Sequence, residues 1–288
     1  MSQTSPHHSL ALMLRTLKLP TFAAMHEQVA LRGDRDGWTL GQSLQHLCEL
    51  EIEERRRKRI ERILKAADLP TDKTLATLDT KRWPTKVQRQ IPALCSGDFV
   101  DRAENILLFG LPGRGKTHLA AAIGHELAHR GRTVLFTSTA MLVQRLLRAK
   151  RDLVLERDLH RLDGFDAVIL DDIGYVQHER DEMEVLFTFL AARYERRSVI
   201  LTSNLVFSQW DRIFKDPMTT AAAIDRLVHH SVILELITKQ SGRVGVALER
   251  NDNYPDDNYP DDNYRKAPAE DPNTAGIRDE TLQPGGEI

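Results

Sequence analysis

The run Gly110-Leu111-Pro112-Gly113-Arg114-Gly115-Lys116-Thr117 has the residue types and spacing of a polyphosphate cradle. Glycines at 110, 113 and 115 let backbone N–H groups approach phosphate oxygens where a Cβ would collide. A helix opening near Gly115 and continuing through His118-Leu-Ala-Ala-Ala-Ile123 turns its positive dipole end on the same anion. Lys116 is expected to reach the β- and γ-oxygens, with the Thr117 hydroxyl placed to hold Mg²⁺. The expected phosphate set is therefore residues 110–117 together with His118.

A second group of chemically competent residues lies downstream. Val168-Ile-Leu-Asp171-Asp172 is an apolar strand ending in two carboxylates, as a metal-binding aspartate at the carboxyl end of a sheet requires. Asp171 is expected to support Mg²⁺, directly or through water. Asp172, one residue on, is the candidate general base that polarises a water toward a γ-phosphate. Ser198-Val-Ile-Leu201 ends in Thr202-Ser203-Asn204, so Asn204 falls at the same sheet edge, able to orient water or sense the γ-phosphate, although Asn is also a common turn former. Arg226, in Ala-Ala-Ala-Ile-Asp225-Arg226-Leu-Val-His-His, is either a charge-stabilising finger for a neighbouring subunit's nucleotide or a surface partner of Asp225.

These groups need a scaffold, and the hydrophobic pattern supplies one. Apolar runs at 106–109, 133–137, 167–170, 199–201 and 232–236 alternate with helical stretches, the pattern of a parallel sheet covered on both faces. The helix after the cradle should stop near Gly131, and one long helix is expected from Met141 to about Leu162. Residues 10–69 read as helices, from Leu40, Leu44, Leu47, Leu50, Ile60, Ile63 and Leu64 at three- and four-residue spacing. In that region Arg55-Arg-Arg-Lys-Arg59 follows Glu49, Glu51, Glu53 and Glu54, giving either i,i+4 ion pairs or a phosphate-binding surface. Pro70, Pro84 and Pro92 mark a connector whose pre-proline positions resist helix. The expected organisation is a small helical domain over 1–70, a connector over 71–100, an α/β phosphate-binding domain over 101–250 and an acidic disordered tail over 251–288.

Composition bounds the function. The 288 residues carry a net charge of −2, with 41% hydrophobic and 28% charged residues, as in a soluble globular protein. No segment has the apolar length of a membrane span and no secretory leader opens the chain, so the expected compartment is the cytoplasm. The charge is uneven: residues 251–288 hold ten acids and three bases, which leaves the body at about +5, compatible with nucleic acid without establishing it. In that tail Asp-Asn-Tyr recurs three times, at Tyr254, Tyr259 and Tyr264. Cys48 and Cys95 are too isolated for a disulfide framework or zinc site and are expected to be buried or inert.

Taken together, these motifs resemble the AAA+ ATPases of the initiator and helicase-loader group. The resemblance is closest to the IstB-like helpers of IstA-type transposases, over about residues 10–240. It is carried by Leu17-Lys-Leu-Pro20, Phe99 through Lys116-Thr117-His118-Leu-Ala, Asp171-Asp-Ile-Gly-Tyr175, Thr202-Ser-Asn-Leu205 and Asp225-Arg-Leu-Val-His-His230. It implies a P-loop NTPase fold, ATP and Mg²⁺ as cofactors, Asp171 on Mg²⁺, Asp172 activating water, Asn204 as first sensor and Arg226 acting in trans. It further implies ATP-dependent homo-oligomers on double-stranded DNA that recruit and stimulate an IstA-like transposase, with DNA cleavage left to that partner. After Leu236 the chain departs from the family pattern: Ser241-Gly-Arg243-Val-Gly leaves Arg243 as the one candidate second sensor, and too little chain follows for a helical lid.

Arg145, Arg148, Lys150, Arg151 and Arg157 are the candidate DNA-phosphate contacts, although Leu146, Leu147, Leu153 and Leu155 among them equally suit an amphipathic helix on the sheet. Three other functions stay open beside the transposition helper. A helicase loader would prefer single-stranded DNA, and a small-molecule P-loop kinase would phosphorylate an acceptor. A non-hydrolysing ATP-switched scaffold would tolerate loss of Asp172.

Overall fold

The computed structural model describes residues 6–173, 180–205, 209–210 and 224–236. Gly174, Tyr175, Arg243 and the whole acidic repeat tail lie outside these residues. The described residues all belong to one compact unit.

Five parallel strands build the sheet: β1 (Asn105–Phe109), β2 (Val134–Ser138), β3 (Ala167–Ile173), β4 (Ser198–Ser203) and β5 (Ser231–Glu235), in the order β2-β3-β4-β1-β5. Side chains alternate across a strand, and β1 shows it. Ile106 and Leu108 join the core on one face with Ile169, Ile200 and Leu234, while Leu107 and Phe109 join the core on the other with Val168, Leu170 and Leu201. The first face is covered by α4 (Thr85–Ser96), the one-turn α5 (Asp98–Asp101) and α6 (Lys116–His129); the second packs against α7 (Thr139–Arg151), α8 (Leu155–Asp163) and α9 (Arg180–Arg193). Both faces are covered by apolar clusters, which is why the strands read as near-continuous apolar runs.

The order places β3, β4 and β1 side by side at the centre, so the cradle after β1 and the polar ends of β3 and β4 share one edge. The outer strand β2 donates from Phe136 N–H to Ala67 O at 2.7 Å, which fixes the end of the long helix α3 (Leu40–Ala66) to the sheet. Helix α3 starts on a reciprocal cap: Gln42 N–H donates to the Thr39 hydroxyl and Thr39 N–H to the Gln42 side chain at 2.8 Å. It packs on α2 (Pro20–Asp36), preceded by α1 (Pro6–Thr16). Its basic run is mostly paired within the helix, Arg55 to Glu51, Arg57 to Glu54 and Glu61, and Lys58 to Glu54.

Three local expectations need correction. The stretch 141–162 is two helices, because Leu153 takes φ 57° and breaks the run, leaving its side chain 93% exposed. The connector is partly helical: α4 holds Pro92 inside it. An interior proline costs about 3 kcal/mol, but burying Val87, Ile91 and Leu94 returns roughly 1.5–3 kcal/mol each, so burial wins. Cys95 is buried as expected, and burial lifts its thiol to about 11, whereas Cys48 is exposed.

Arg193 closes the base of α9. It is 2% exposed, and its guanidinium donates to Leu162 O at 2.8 Å, Phe165 O at 3.0 Å and Ser198 O at 3.0 Å, with burial pulling its pKa down to about 10. These carbonyls flank the turns into β3 and β4, so the arginine substitutes for water in joining them. Arg193→Met keeps the stem but leaves the carbonyls unpaired, and is expected to lower unfolding free energy by about 3–5 kcal/mol in a urea titration.

Candidate functional site

At the carboxyl edge of the central strands the chain makes one continuous polar network. The cradle takes left-handed or mirror-extended backbone at its glycines, with φ 153° at Gly110 and 89° at Gly115. At Gly110 a Cβ would lie 2.9 Å from Leu236 O, so a side chain there would push β5 away. Gly115 caps α6, whose first residues are Lys116 and Thr117.

Lys116 is 7% exposed, and its ammonium donates to Gly110 O at 2.7 Å, Leu111 O at 3.2 Å and Asn204 Oδ1 at 2.5 Å. Burial lowers its pKa, partly offset by Asp172 and Asp171. Asn204 passes the contact on, its Nδ2 donating to Asp172 Oδ1 at 3.0 Å. Lys116, Asn204 and Asp172 are therefore one hydrogen-bonded row.

The neighbouring carboxylate is held from two sides. Thr117 Oγ1 donates to Asp171 Oδ1 at 2.8 Å, and Thr202 Oγ1 to the same oxygen at 2.7 Å. A hydroxyl and a carboxylate, both hard oxygen donors and in contact, fit Mg²⁺ chemistry, and the glycine cradle fits phosphate. Asp172 sits at a register shift in β3 with φ 64°, uncommon for a residue with a side chain. Its N–H is fixed by Thr202 Oγ1 at 2.8 Å. Burial first and the Asp171 charge second raise its pKa, against the pull of Lys116.

Thr202, which the sequence reading passed over, thus orients both carboxylates: its hydroxyl donates to one and accepts from the backbone of the other. Its only signal was its place in Thr-Ser-Asn at a strand end. Trp83 was missed as well. Fully buried, it donates from the indole N–H to Arg114 O at 2.9 Å, and a Cβ on Gly115 would meet its ring at 3.0 Å. The indole is a floor under the cradle. Trp83→Phe is expected to keep the fold, reduce stability by about 0.5–1.5 kcal/mol and weaken nucleotide affinity measurably in a fluorescent-nucleotide titration. Nearby, the His118 ring contacts Thr74 O at 3.1 Å and Thr77 Oγ1 at 3.1 Å, so its side chain serves the connector.

Other expected residues lie elsewhere. Arg226 is not gathered into this network; its guanidinium stacks over Phe187 of α9 at 4.3 Å. The five candidate DNA cations are divided between two helices. Arg145 is paired with Asp158 at 2.9 Å and Lys150 with Glu184 at 2.9 Å, while Arg151 and Arg157 are exposed and Arg148 lines a hollow with Phe136 and Met141. No helix among the described residues is long and apolar enough to cross a membrane.

Comparison with known proteins supplies the family. Residues 12–246 match the family described as IstB-like ATP binding protein. The chain is 47% identical over 79% of its length, and 76% of the relative, to an insertion sequence ATP-binding protein of Sinorhizobium fredii. It is 36% identical to the ATP-binding protein of insertion sequence IS21 from Pseudomonas aeruginosa, over 80% of this chain and 86% of that one. Among solved structures, DnaI superposes with a TM-score of 0.50 at 20% identity over 59% of this chain and 95% of that one, a likeness of fold.

Proposed function

Because this chain belongs to the family of IstB-like ATP-binding proteins, we propose that it hydrolyses ATP as a helper of an insertion-sequence transposase, assembling on duplex DNA in the nucleotide-bound state. The single observation that carries the hydrolytic part is the row Lys116–Asn204–Asp172 beside Asp171–Thr117. It holds a phosphate-seeking cation, a carboxylate of raised proton affinity and a neutral amide in mutual contact.

Mg²⁺, when bound, would neutralise phosphate charge, and Thr117 and Asp171 are the residues that would hold it. Lys116 exchanges its carbonyl partners for phosphate oxygens. Asp172 accepts a proton from water, and its raised pKa makes it a stronger base than a surface aspartate. Asn204 holds that carboxylate in position through its amide. Arg226, lying apart from its own chain's network, suits action on a neighbouring subunit. Residues 1–70 suit assembly, and the exposed Arg151 and Arg157, with Arg148, suit DNA phosphate; the reading places the protein in the cytoplasm. The transposase partner is the IstA-like enzyme such helpers accompany.

The test is the ATPase rate at low salt without DNA, with duplex and with single-stranded DNA, for the intact chain and Arg226→Ala. The reading requires stimulation by duplex that declines steeply with salt and is lost in the variant. Preference for single strands would replace it with a helicase loader. Phosphorylation of a small acceptor would replace it with a kinase.

A further inference from the structure

At the opposite, amino-terminal edge of the sheet, two turns bring three metal-ligating side chains together. Glu195 lies in the turn from α9 into β4, and His229 and His230 immediately precede β5. Their ligand atoms all fall within 4.8 Å of one another, the only such group of three His, Cys or acidic residues among the described residues. Glu195 Oε1 stands 3.9 Å from His229 Nδ1 and 3.8 Å from His230 Nε2. The two imidazoles are 4.1 Å apart between centroids, nearly edge to face.

Donors about 2.0–2.2 Å from a tetrahedral ion are roughly 3.3 Å from each other. Small rotations of these exposed side chains therefore close the set. Glu195 and His230 sit in tight turns, with φ 55° and 60°. The Tyr194 hydroxyl lies 3.0 Å from the same His229 Nδ1, so an ion taking that nitrogen displaces this hydrogen bond.

We propose that Glu195, His229 and His230 form a binding site for a divalent transition-metal ion, with Zn²⁺ the fitting occupant. Two imidazoles and one carboxylate suit zinc, cobalt or nickel, whereas magnesium and calcium prefer an all-oxygen set. Three protein ligands leave one position for water or for a donor from another molecule. The ion ties the α9–β4 turn to the turn before β5. It thereby braces the helical turns at 224–228, whose Arg226 rests on α9 through Phe187. This site is independent of the nucleotide reading: it uses different ligands at the other end of the strands.

The full chain, prepared without a polyhistidine tag and stripped with a chelator, is titrated with Zn²⁺ by calorimetry and with Co²⁺ by visible absorption, in the absence of nucleotide. One equivalent is expected to bind, to raise Tm and to give the intense visible bands of low-coordinate cobalt. Glu195→Gln and His230→Asn are expected to weaken Zn²⁺ by at least about tenfold. His7→Asn/His8→Asn, which removes the chain's other adjacent histidine pair, is expected to leave binding unchanged. Metal-free Tm values equal to that of the parent establish that the variants fold; if His230→Asn fails this check, Glu195→Gln alone decides. No binding by the parent, or undiminished binding by Glu195→Gln, overturns the proposal.

Discussion

Asp172→Asn is expected to reduce ATP hydrolysis by about 10²–10⁴-fold, the range that a positioned general base contributes, while nucleotide affinity stays within a small factor of the parent. The separation follows from the geometry. Lys116 and Thr117, the residues proposed to bind phosphate and metal, act through other partners, and Asn204 stands between the ammonium and this carboxylate. The same substitution is expected to raise Tm at neutral pH. For an acid with a raised folded-state pKa, the folded protein holds the proton more tightly than the unfolded chain, so ionisation opposes folding once pH exceeds the ordinary aspartate value. Asparagine removes that penalty, and it also tolerates the φ of 64° at this position well. In the parent, hydrolysis should fall as acidification carries pH down through the raised pKa of Asp172. Single-turnover hydrolysis, a binding titration and a melting curve on one variant check all of this; unchanged hydrolysis would favour a scaffold that only binds ATP.

Lys116→Ala should act at the earlier step. An ammonium hydrogen-bonded to a charged acceptor contributes about 1.5–3 kcal/mol, so ATP affinity should fall by on the order of 10–150-fold. Hydrolysis at subsaturating ATP should fall at least as far. The variant also leaves Gly110 O, Leu111 O and Asn204 Oδ1 without their shared donor, so the cradle is expected to loosen even without ligand. Fluorescent-nucleotide titration measures the first effect, and hydrogen exchange at residues 110–115 the second. Near-parent affinity would place phosphate recognition elsewhere.

What could be read from the chain was what local chemistry dictates. The cradle, the strand ending in Asp171-Asp172 and the amide at Asn204 are each encoded by contiguous residues, and parallel strand order then brought them together. Thr202 and Trp83 were illegible because their roles depend on contacts across 30 or more residues: Thr202 with Asp172, and Trp83 with Arg114. The break at Leu153 had no glycine or proline to announce it. Pro92 misled in the opposite direction, since a local rule against helix was overridden by a buried face seen only after folding. Charge on α3 was ambiguous as sequence and became mostly internal pairing as structure.

The connector also changes how this protein can be taken apart. Its residues 74–83 reach the cradle twice, through the threonines that contact His118 and through the indole beneath Gly115. A splice at residue 100 would look natural from strand positions, yet it would strip the cradle of its floor. A chimera that exchanges the first three helices for those of a relative should therefore be joined just after α3, near Asp68, so that the nucleotide-binding module travels with its own strap.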